Sequence, residues 1–300
     1  MSTRPLYVGP FLHLRTLPPF AGLSPAQLRE LAYEAQEVML PRGTALVEQG
    51  EPCGAMYLIV DGFVDVEQDE PVGPGGVVGF LDVLTSDPGL AGAVASTDVV
   101  ALRVESDALR DVCEQSFAVL GAILMHVADL VADDREAQLR SIAGRGAAEL
   151  PAGTPLDRVG RITAFHRAPA FPTRHMDALA ELAGHVVERH LAPGESLWEV
   201  GEEALAFYLI TSGAVDLTDP RTGATVQFGA GAAPGLVETL AGRQRSYLAV
   251  GARPVVMLRV DVEPFMDVIE DHFEMAFGLL GWLARNLIES RLGRAQGGRR

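Results

Sequence analysis

The sequence predicts a mainly β protein with flanking α-helices, built from two tandem β-roll domains of the double-stranded β-helix or jelly-roll type. Three observations support this prediction: an internal repeat, glycines that recur at the same spacing in both repeats, and a long amphipathic helix that closes each repeat. A chain of 300 residues has room for two domains of ordinary size.

The internal repeat predicts the domain organisation. Residues 26–65 align without a gap on residues 177–216, and about 18 of the 40 aligned pairs are identical. After a short insertion, Val99–Val104 aligns with Val255–Val260. We therefore predict a first domain over residues 1–140, a linker over 141–154 and a second domain over 155–300.

Each repeat opens with a short amphipathic helix. In the first repeat, Ser24 is the expected N-cap, Pro25 takes the first helical position and Gln27 completes a capping box. In the second repeat, Thr173 is the expected cap. The expected buried stripes are Leu28, Leu31 and Ala35 in the first helix and Leu179, Leu182 and Val186 in the second.

Short β segments punctuated by glycine follow each opening helix. Gly43, Gly50 and Gly62 recur as Gly194, Gly201 and Gly213, a spacing that is typical of turns requiring positive φ. Many short strands joined by regular turns indicate a roll or barrel rather than a parallel sheet. The expected strands of the first repeat are Val38–Leu40, Ala45–Val47, Met56–Val60 and Phe63–Glu67.

A long helix closes each repeat, and its apolar stripe permits two interpretations. The stripe packs either on the roll of its own domain or against a second copy of the chain, as a homodimer seam through the long C-terminal helices. A Gly-, Ala- and Pro-rich stretch from Gly144 to Gly153 is the expected linker. The stripes are Phe117, Leu120, Leu124, Val127 and Val131 in the first copy and Phe273, Phe277, Leu280, Leu283 and Leu287 in the second.

Composition excludes several functional classes. The formal net charge is −16 and the chain contains no lysine, which argues against direct nucleic-acid binding and excludes a lysine nucleophile. The two isolated cysteines, Cys53 and Cys113, are typical of a cytoplasmic protein, and the Ala, Gly and Arg bias indicates a bacterial source. The longest apolar stretch, around Met275 to Ala284, is too short to span a bilayer, and the N-terminus lacks the apolar region of a signal peptide. The basic tail, Arg291, Arg294, Arg299 and Arg300, is interpreted as solvated.

Two segments carry a family resemblance. Val47–Gly50 followed by Met56–Val66, and Trp198–Gly201 followed by Phe207–Leu217, resemble the cyclic nucleotide-binding domain family. This is the sensor domain of Crp/Fnr-type proteins, here without a DNA-binding helix-turn-helix in the sequence. The resemblance implies a phosphate-binding cassette of the pattern Gly-Glu-x-(Ala/Ser)-Leu and then Arg-(Ala/Ser). In that cassette a short helix and the Arg hold the cyclic phosphate, and the Glu binds the ribose.

The first copy departs from this cassette. Its glycine is Gly79, Phe80 stands where the ribose Glu belongs, and Leu90-Ala91 replaces the Arg-(Ala/Ser) pair. Leucine cannot neutralise a phosphate, and Asp82 would add repulsion. We expect this pocket to be degenerate and not to bind ligand.

The second copy is ambiguous. Its cassette reads Gly235, Leu236, Val237 and Glu238, followed by Arg245 and Ser246, so the Arg is retained while Leu236 replaces the ribose Glu. Arg245 either contacts the phosphate of cyclic AMP or cyclic GMP, or lies on the surface and pairs with Glu238 or Glu203. No cofactor is required in the second interpretation.

No catalytic or metal-binding constellation is recognisable, and the adjacent Asp133 and Asp134 are interpreted as a solvated helix surface. We therefore expect a non-enzymatic regulatory or adaptor protein that acts through contacts with a protein partner not identifiable from the sequence. The alternative is a cyclic mononucleotide sensor that binds cyclic AMP or cyclic GMP in the second domain.

Overall fold

A computed structural model describes residues 8–67, 70–85, 88–89, 91–142, 149–150, 155–171 and 175–297. The chain divides into two compact units, one of residues 1–126 with 287–300 and one of residues 127–286. This division differs from the sequence-based boundaries at 140 and 154, which stay predictions. Most of the expected linker from Gly144 to Gly153 lies outside the described residues.

The first unit contains two antiparallel sheets, of strand order β1-β7-β3-β5 and β2-β6-β4, with helices around them. Helix α4 begins in this unit and ends in the second. The elements are α1 (Val8–Arg15), α2 (Pro25–Glu34), β1 (Gln36–Leu40), β2 (Ala45–Val47), β3 (Ala55–Asp61), β4 (Val64–Val66), β5 (Val77–Val78), β6 (Ala93–Ala95), β7 (Val99–Glu105), α3 (Ser106–Gln115) and α4 (Phe117–Asp133).

The second unit repeats the plan with sheets of order β10-β14-β8 and β12-β11-β13-β9. Its last helix, α10, extends beyond the unit at its C-terminal end. The elements are α5 (Arg135–Ile142), α6 (Arg158–Arg167), α7 (Met176–Leu182), β8 (Val187–Leu191), β9 (Ser196–Trp198), β10 (Ala206–Ser212), β11 (Val215–Thr218), β12 (Thr225–Phe228), α8 (Leu236–Leu240), β13 (Leu248–Gly251), β14 (Val255–Asp261), α9 (Val262–Asp271) and α10 (Phe273–Gly297).

Strand register confirms the duplication. In the first unit Ala55 pairs with Glu105, and in the second unit Ala206 pairs with Asp261. Both ladders then shift register at the same step, after Ile59 in β3 and after Ile210 in β10. A β-bulge at an equivalent position is a feature of the fold and not an accident of one strand. The predicted pair of β-rolls with flanking helices is therefore confirmed.

The recurring glycines serve the turns that the sequence predicts. All six have φ between +80° and +89°. A Cβ added at Gly62 or Gly213 would overlap a backbone carbonyl oxygen, of Asp98 or Pro254 respectively. At these two positions glycine is required for close approach of two backbones as well as for its dihedral angle.

The helix predictions are largely confirmed at α2 and need correction elsewhere. Ser24, Pro25 and Gln27 form the expected capping box, but α2 ends at Glu34, so Ala35 is a partly exposed C-cap. Thr173 lies outside the described residues, and the N-cap of α7 is His175, whose side chain makes no capping hydrogen bond. Val186 is buried as expected but follows the end of α7.

The closing helices bury most of their predicted stripes within the single chain. Leu120, Leu124, Val127 and Val131 of α4 are at most 1 % exposed, as are Leu280, Leu283 and Leu287 of α10. This burial favours packing within the chain over a dimer seam at these positions. Among the described residues no single helix is long and apolar enough to cross a membrane, and only α3 and α4 taken together, across a 114° bend, meet such a criterion.

Candidate functional site

The second copy places its cassette where the roll meets a short helix. Gly235, with φ of +86°, is the N-cap of α8, and Leu236 and Val237 are fully buried. A Cβ at Gly235 would overlap the guanidinium of Arg245. Close approach of this backbone to Arg245 therefore explains the glycine.

Arg245 lies inside the unit and not on its surface. Its side chain is 5 % exposed, and its guanidinium carbon lies 4.2 Å from the centre of the Trp198 ring. Nη1 donates to the carbonyl oxygen of Gly235 at 3.2 Å, and Nη2 donates to the carbonyl oxygen of Ala206. Burial lowers the pKa of Arg245 from its ordinary value.

The prediction of a surface Arg245 paired with Glu238 or Glu203 is therefore wrong. Residue spacing correctly located the guanidinium beside the cassette but did not define its direction. The guanidinium donates to two carbonyl oxygens and stacks on an indole face, and among the described residues it makes no hydrogen bond to Glu238 or Glu203.

Glu238 forms the polar centre of the site. It is 2 % exposed, and its Oε1 accepts from Oγ of Ser246 at 3.0 Å and from Nε2 of Gln138 at 2.9 Å. Gln138 Nε2 also lies 3.1 Å from Oγ of Ser246. Glu238 and Ser246 thus lie together, as their cassette positions suggest, but Gln138 of α5 bonds to both.

Helix α5 also packs against the apolar core of the second unit. Ile142 belongs to the same buried cluster as Trp198 and Tyr208, and Leu139 packs against that cluster. The carbonyl oxygen of Ile142 accepts from the backbone N–H of Ala233 at 3.1 Å, just before the cassette. The rest of the cluster comprises Leu191, Leu197, Ile210, Val215, Leu217, Phe228, Ala232, Tyr247, Ala249, Val255 and Met257.

Charged contacts anchor the N-terminal end of α5. Arg135 forms an ion pair with Asp219, a 1 % exposed carboxylate, and lies 5.2 Å from the Tyr247 ring centre. Asp134 is only 7 % exposed, and its Oδ1 accepts from the Ala137 backbone N–H at 3.1 Å. The interpretation of Asp134 as a solvated residue is therefore wrong.

The end of α4 reaches the same region through exposed charges. Arg243, which follows α8, donates to Asp129 and to Asp133, each at 2.6 Å. These contacts raise the pKa of Arg243 and lower that of Asp133. Because the three side chains are 35 % to 66 % exposed, solvent and salt screen this interaction.

The first copy presents an aromatic side chain at its cassette. Gly79 has φ of +78°, and Phe80 packs against Phe20 and His126 at ring distances of 6.5 Å and 6.4 Å. A short 3₁₀ turn, Asp82–Leu84, stands in place of the α8 helix of the second copy. Burial raises the pKa of Asp82. Leu90 lies outside the described residues, and Ala91 is partly buried.

A cavity of about 890 Å³ lies elsewhere in the first unit, beside α2 and α3. Its lining includes five carboxylates, and neither Gly79 nor Phe80 takes part. In the described part of the chain, no group of three or more His, Cys, Asp or Glu side chains could hold a metal ion. The five carboxylates are those of Glu30, Glu34, Glu105, Asp107 and Asp111.

Comparison with known families decides the identity of the fold. The family model described as the cyclic nucleotide-binding domain matches residues 37–116 and residues 188–272, which together make up more than half of the chain. The chain belongs to the cyclic nucleotide-binding domain family. Both matches coincide with the rolls described above, and the resemblance inferred from the sequence is confirmed.

Characterised relatives share single domains of this family. A CRP-like cAMP-activated global transcriptional regulator of Mycobacterium tuberculosis is 28% identical over 130 residues, covering 38% of this chain and 58% of the regulator. A cyclic nucleotide-gated potassium channel of Mesorhizobium japonicum is 31% identical over 102 residues, covering 33% of this chain and 29% of the channel. The chain therefore spans less than two thirds of these relatives.

Solved structures of the family align over most of the chain or over one domain. The regulatory subunit of a cAMP-independent protein kinase A from Trypanosoma brucei aligns with 91% of this chain and 93% of its own, at 19% identity and a TM-score of 0.36. The N-terminal domain of a transcriptional regulator from Streptomyces coelicolor aligns with 42% of this chain and 93% of its own, at 28% identity and a TM-score of 0.38.

The contacts of α5 with the cassette were not predicted from the sequence. Gln138 and Glu238 are 100 residues apart, and neither the cassette motif nor the repeat includes α5. One signal was available, since Leu139 and Ile142 are spaced three apart on a short helix with polar neighbours. That pattern indicates an amphipathic helix but not the surface that it covers.

Proposed function

We propose that this chain is a non-enzymatic regulatory or adaptor protein that acts through protein–protein contacts and needs no bound cyclic nucleotide. The observation that carries the proposal is the packing of α5 against the second cassette. Ile142 belongs to the apolar cluster of the roll, Leu139 packs against that cluster, and Gln138 bonds to the cassette residues Glu238 and Ser246. A ligand would have to replace packing and hydrogen bonds that the chain already provides.

The charges in both cassettes support the same proposal. In the second copy the buried carboxylate of Glu238 would lie close to a bound phosphate, and like charges at short range in a poorly solvated site repel strongly. In the first copy Phe80 offers no hydrogen bond to a ribose, and Asp82 adds a carboxyl group. Neither cassette has the charge balance expected for an anionic ligand.

Isothermal titration calorimetry of the full chain with cyclic AMP and cyclic GMP tests the proposal. We expect no saturable heat up to about 1 mM ligand, a concentration that would reveal binding free energies beyond about −4 kcal/mol. Saturable binding in the micromolar range would contradict the proposal.

A cyclic mononucleotide sensor is the second candidate, and retention of Arg245 favours it. The guanidinium lies beside Gly235, and two of its N–H groups are held by carbonyl oxygens that an incoming phosphate could replace. In this function Arg245→Ala abolishes the calorimetric signal. Arg253→Ala, at a 56 % exposed arginine outside the cassette, is the matched control and leaves the signal unchanged.

The partner and the assembly also belong to the proposal. We propose that the protein is cytoplasmic and binds neither membranes nor nucleic acid directly. Affinity capture from the native host would identify its protein partner. A homodimer through the long C-terminal helices, as an alternative assembly, would have to use faces of these helices other than the stripe residues that are buried within the chain. It predicts a sedimentation mass near twice the 32.0 kDa of the chain, whereas a monomer mass at high protein concentration would contradict it.

A further inference from the structure

Helix α5 has only eight residues, yet it makes both apolar contacts and hydrogen bonds with the second roll. Ala137, Gln138, Ser141 and Ile142 are buried, whereas Arg140 on the opposite face is exposed and pairs with Glu136. The buried face therefore points to the cassette and the roll interior, and the polar face points to solvent.

The buried face of α5 makes three kinds of contact with the second roll: apolar packing, a backbone hydrogen bond and side-chain hydrogen bonds. Ile142 enters the apolar interior, its carbonyl oxygen accepts from Ala233 N–H, and the Gln138 amide bonds to Glu238 and Ser246. Glu238 supplies a carboxylate within the cassette, next to Gln138 of α5 and Ser246. The chain thus provides its own substitute for an apolar group, hydrogen-bonding groups and an anion.

We propose that α5 is an internal plug of the second pocket, and that its release is the conformational step that opens this pocket. The inference rests on the proposed function, since it assigns a regulatory role to a pocket that the chain keeps closed. The pocket in the plugged state excludes ligand, and the pocket in the released state exposes Trp198 and the cassette to solvent.

The contacts of α5 are well suited to release. Among the described residues, Oγ of Ser141, Oε2 of Glu238 and Oγ1 of Thr239 are buried without a hydrogen-bond partner. Ser141 lies on α5 and Glu238 bonds to Gln138 of α5, so each of these two groups destabilises the docked state relative to a released state in which water would solvate it. A segment of eight residues is also too short to be a stable helix without tertiary contacts, so the helicity of α5 depends in part on its docking.

Substitution of Gln138 by glutamate tests the plug with little change of shape. Gln138→Glu places a second carboxylate against the buried Glu238, which opposes docking. The exchange Gln138→Glu with Glu238→Gln restores one amide and one carboxylate in the pair. Arg140→Gln changes the net charge by the same amount on the exposed face of α5 and is the matched control.

Acrylamide quenching of Trp198 reports the release in a Trp282→Phe background, because the chain has two tryptophans. Trp198 is 5 % exposed with α5 docked. We expect its quenching constant to rise about threefold or more in Gln138→Glu, as in local opening of a native state. It should return to the starting value in the exchange variant and stay there in Arg140→Gln.

Two results would overturn the plug. One is unchanged Trp198 quenching in Gln138→Glu, with circular dichroism showing a folded chain. The other is loss of the fold in Gln138→Glu that the exchange variant does not repair. Both results differ from the result that would contradict the proposed function. That result is saturable binding of cyclic nucleotide to the unaltered chain in calorimetry.

Discussion

Arg245 keeps its position in the family motif, and its guanidinium bonds to groups of the chain itself. Its guanidinium donates to two backbone carbonyl oxygens and stacks on Trp198. Groups of this kind contribute to stability chiefly because their removal leaves buried acceptors unpaired. Arg245 is therefore expected to act in this chain as a structural residue.

We expect Arg245→Met to lower the free energy of unfolding by about 2–4 kcal/mol, because two buried carbonyl groups lose their donor. Arg253→Met, at a largely exposed arginine, should cost less than about 0.5 kcal/mol. Urea denaturation followed by circular dichroism measures both. Equal losses in the two variants would contradict a structural role for Arg245.

Asp82 in the first cassette provides a prediction on pH. Burial raises the pKa of its carboxyl group in the folded state above the ordinary value of 3.8, so the folded chain binds this proton more tightly than the unfolded chain does. The resulting stability is present below that ordinary value and is lost as pH rises through the raised value.

Asp82→Asn removes the ionisable group and therefore the decrease in stability with rising pH that this group causes. We expect the unfolding free energy of the variant to exceed that of the parent by a margin that grows as the pH rises above the ordinary pKa of 3.8. Thermal melts across this range measure the margin. A margin that shrinks with rising pH would contradict the burial of this carboxylate.

At the scale of elements, the paired rolls depend on two kinds of glycine. Gly201 and Gly213 both have positive φ, but a Cβ at Gly201 meets nothing within 4 Å, while one at Gly213 overlaps the Pro254 carbonyl oxygen. The same contrast separates Gly50 from Gly62 in the first copy. The two repeats thus share the steric reason for the motif as well as its spacing.

Gly201→Ala should destabilise the chain by about 1 kcal/mol, from its backbone conformation alone. Gly213→Ala should cost at least about 2 kcal/mol more, since β10 and the segment before β14 must also separate. Chemical denaturation of the two variants side by side measures the difference. Equal costs would show that close backbone approach is not what requires Gly213.

The sequence was informative about elements whose requirements are local. Capping by Ser24 and Gln27, and the turns at the repeated glycines, depend on neighbouring residues and were predictable. The direction of Arg245 was not, because it depends on Trp198 and on carbonyl groups brought near it by folding. Strand β3 runs from Ala55 to Asp61 and is longer than the predicted Met56–Val60, because its ends pair with β7. The sequence of one segment does not reveal that pairing.

At the scale of the whole molecule, duplication determined the fold class and could be recognised by alignment of the chain with itself. The contacts of α5 with the second cassette could not be recognised in this way. Helix α5 lies outside both repeats and contacts residues about 100 positions later in the chain. Such contacts carry no periodic signal. They are nevertheless the contacts on which the proposed closure of the second pocket rests.

Hydrogen–deuterium exchange of the full chain, with and without cyclic AMP or cyclic GMP, tests most directly that the chain itself fills the second pocket. We expect the α5 peptide and the Ala233 amide to be protected together and their exchange to be unchanged by about 1 mM nucleotide. Rapid exchange of α5 beside a protected roll, or slower exchange at α8 on adding nucleotide, would contradict this account.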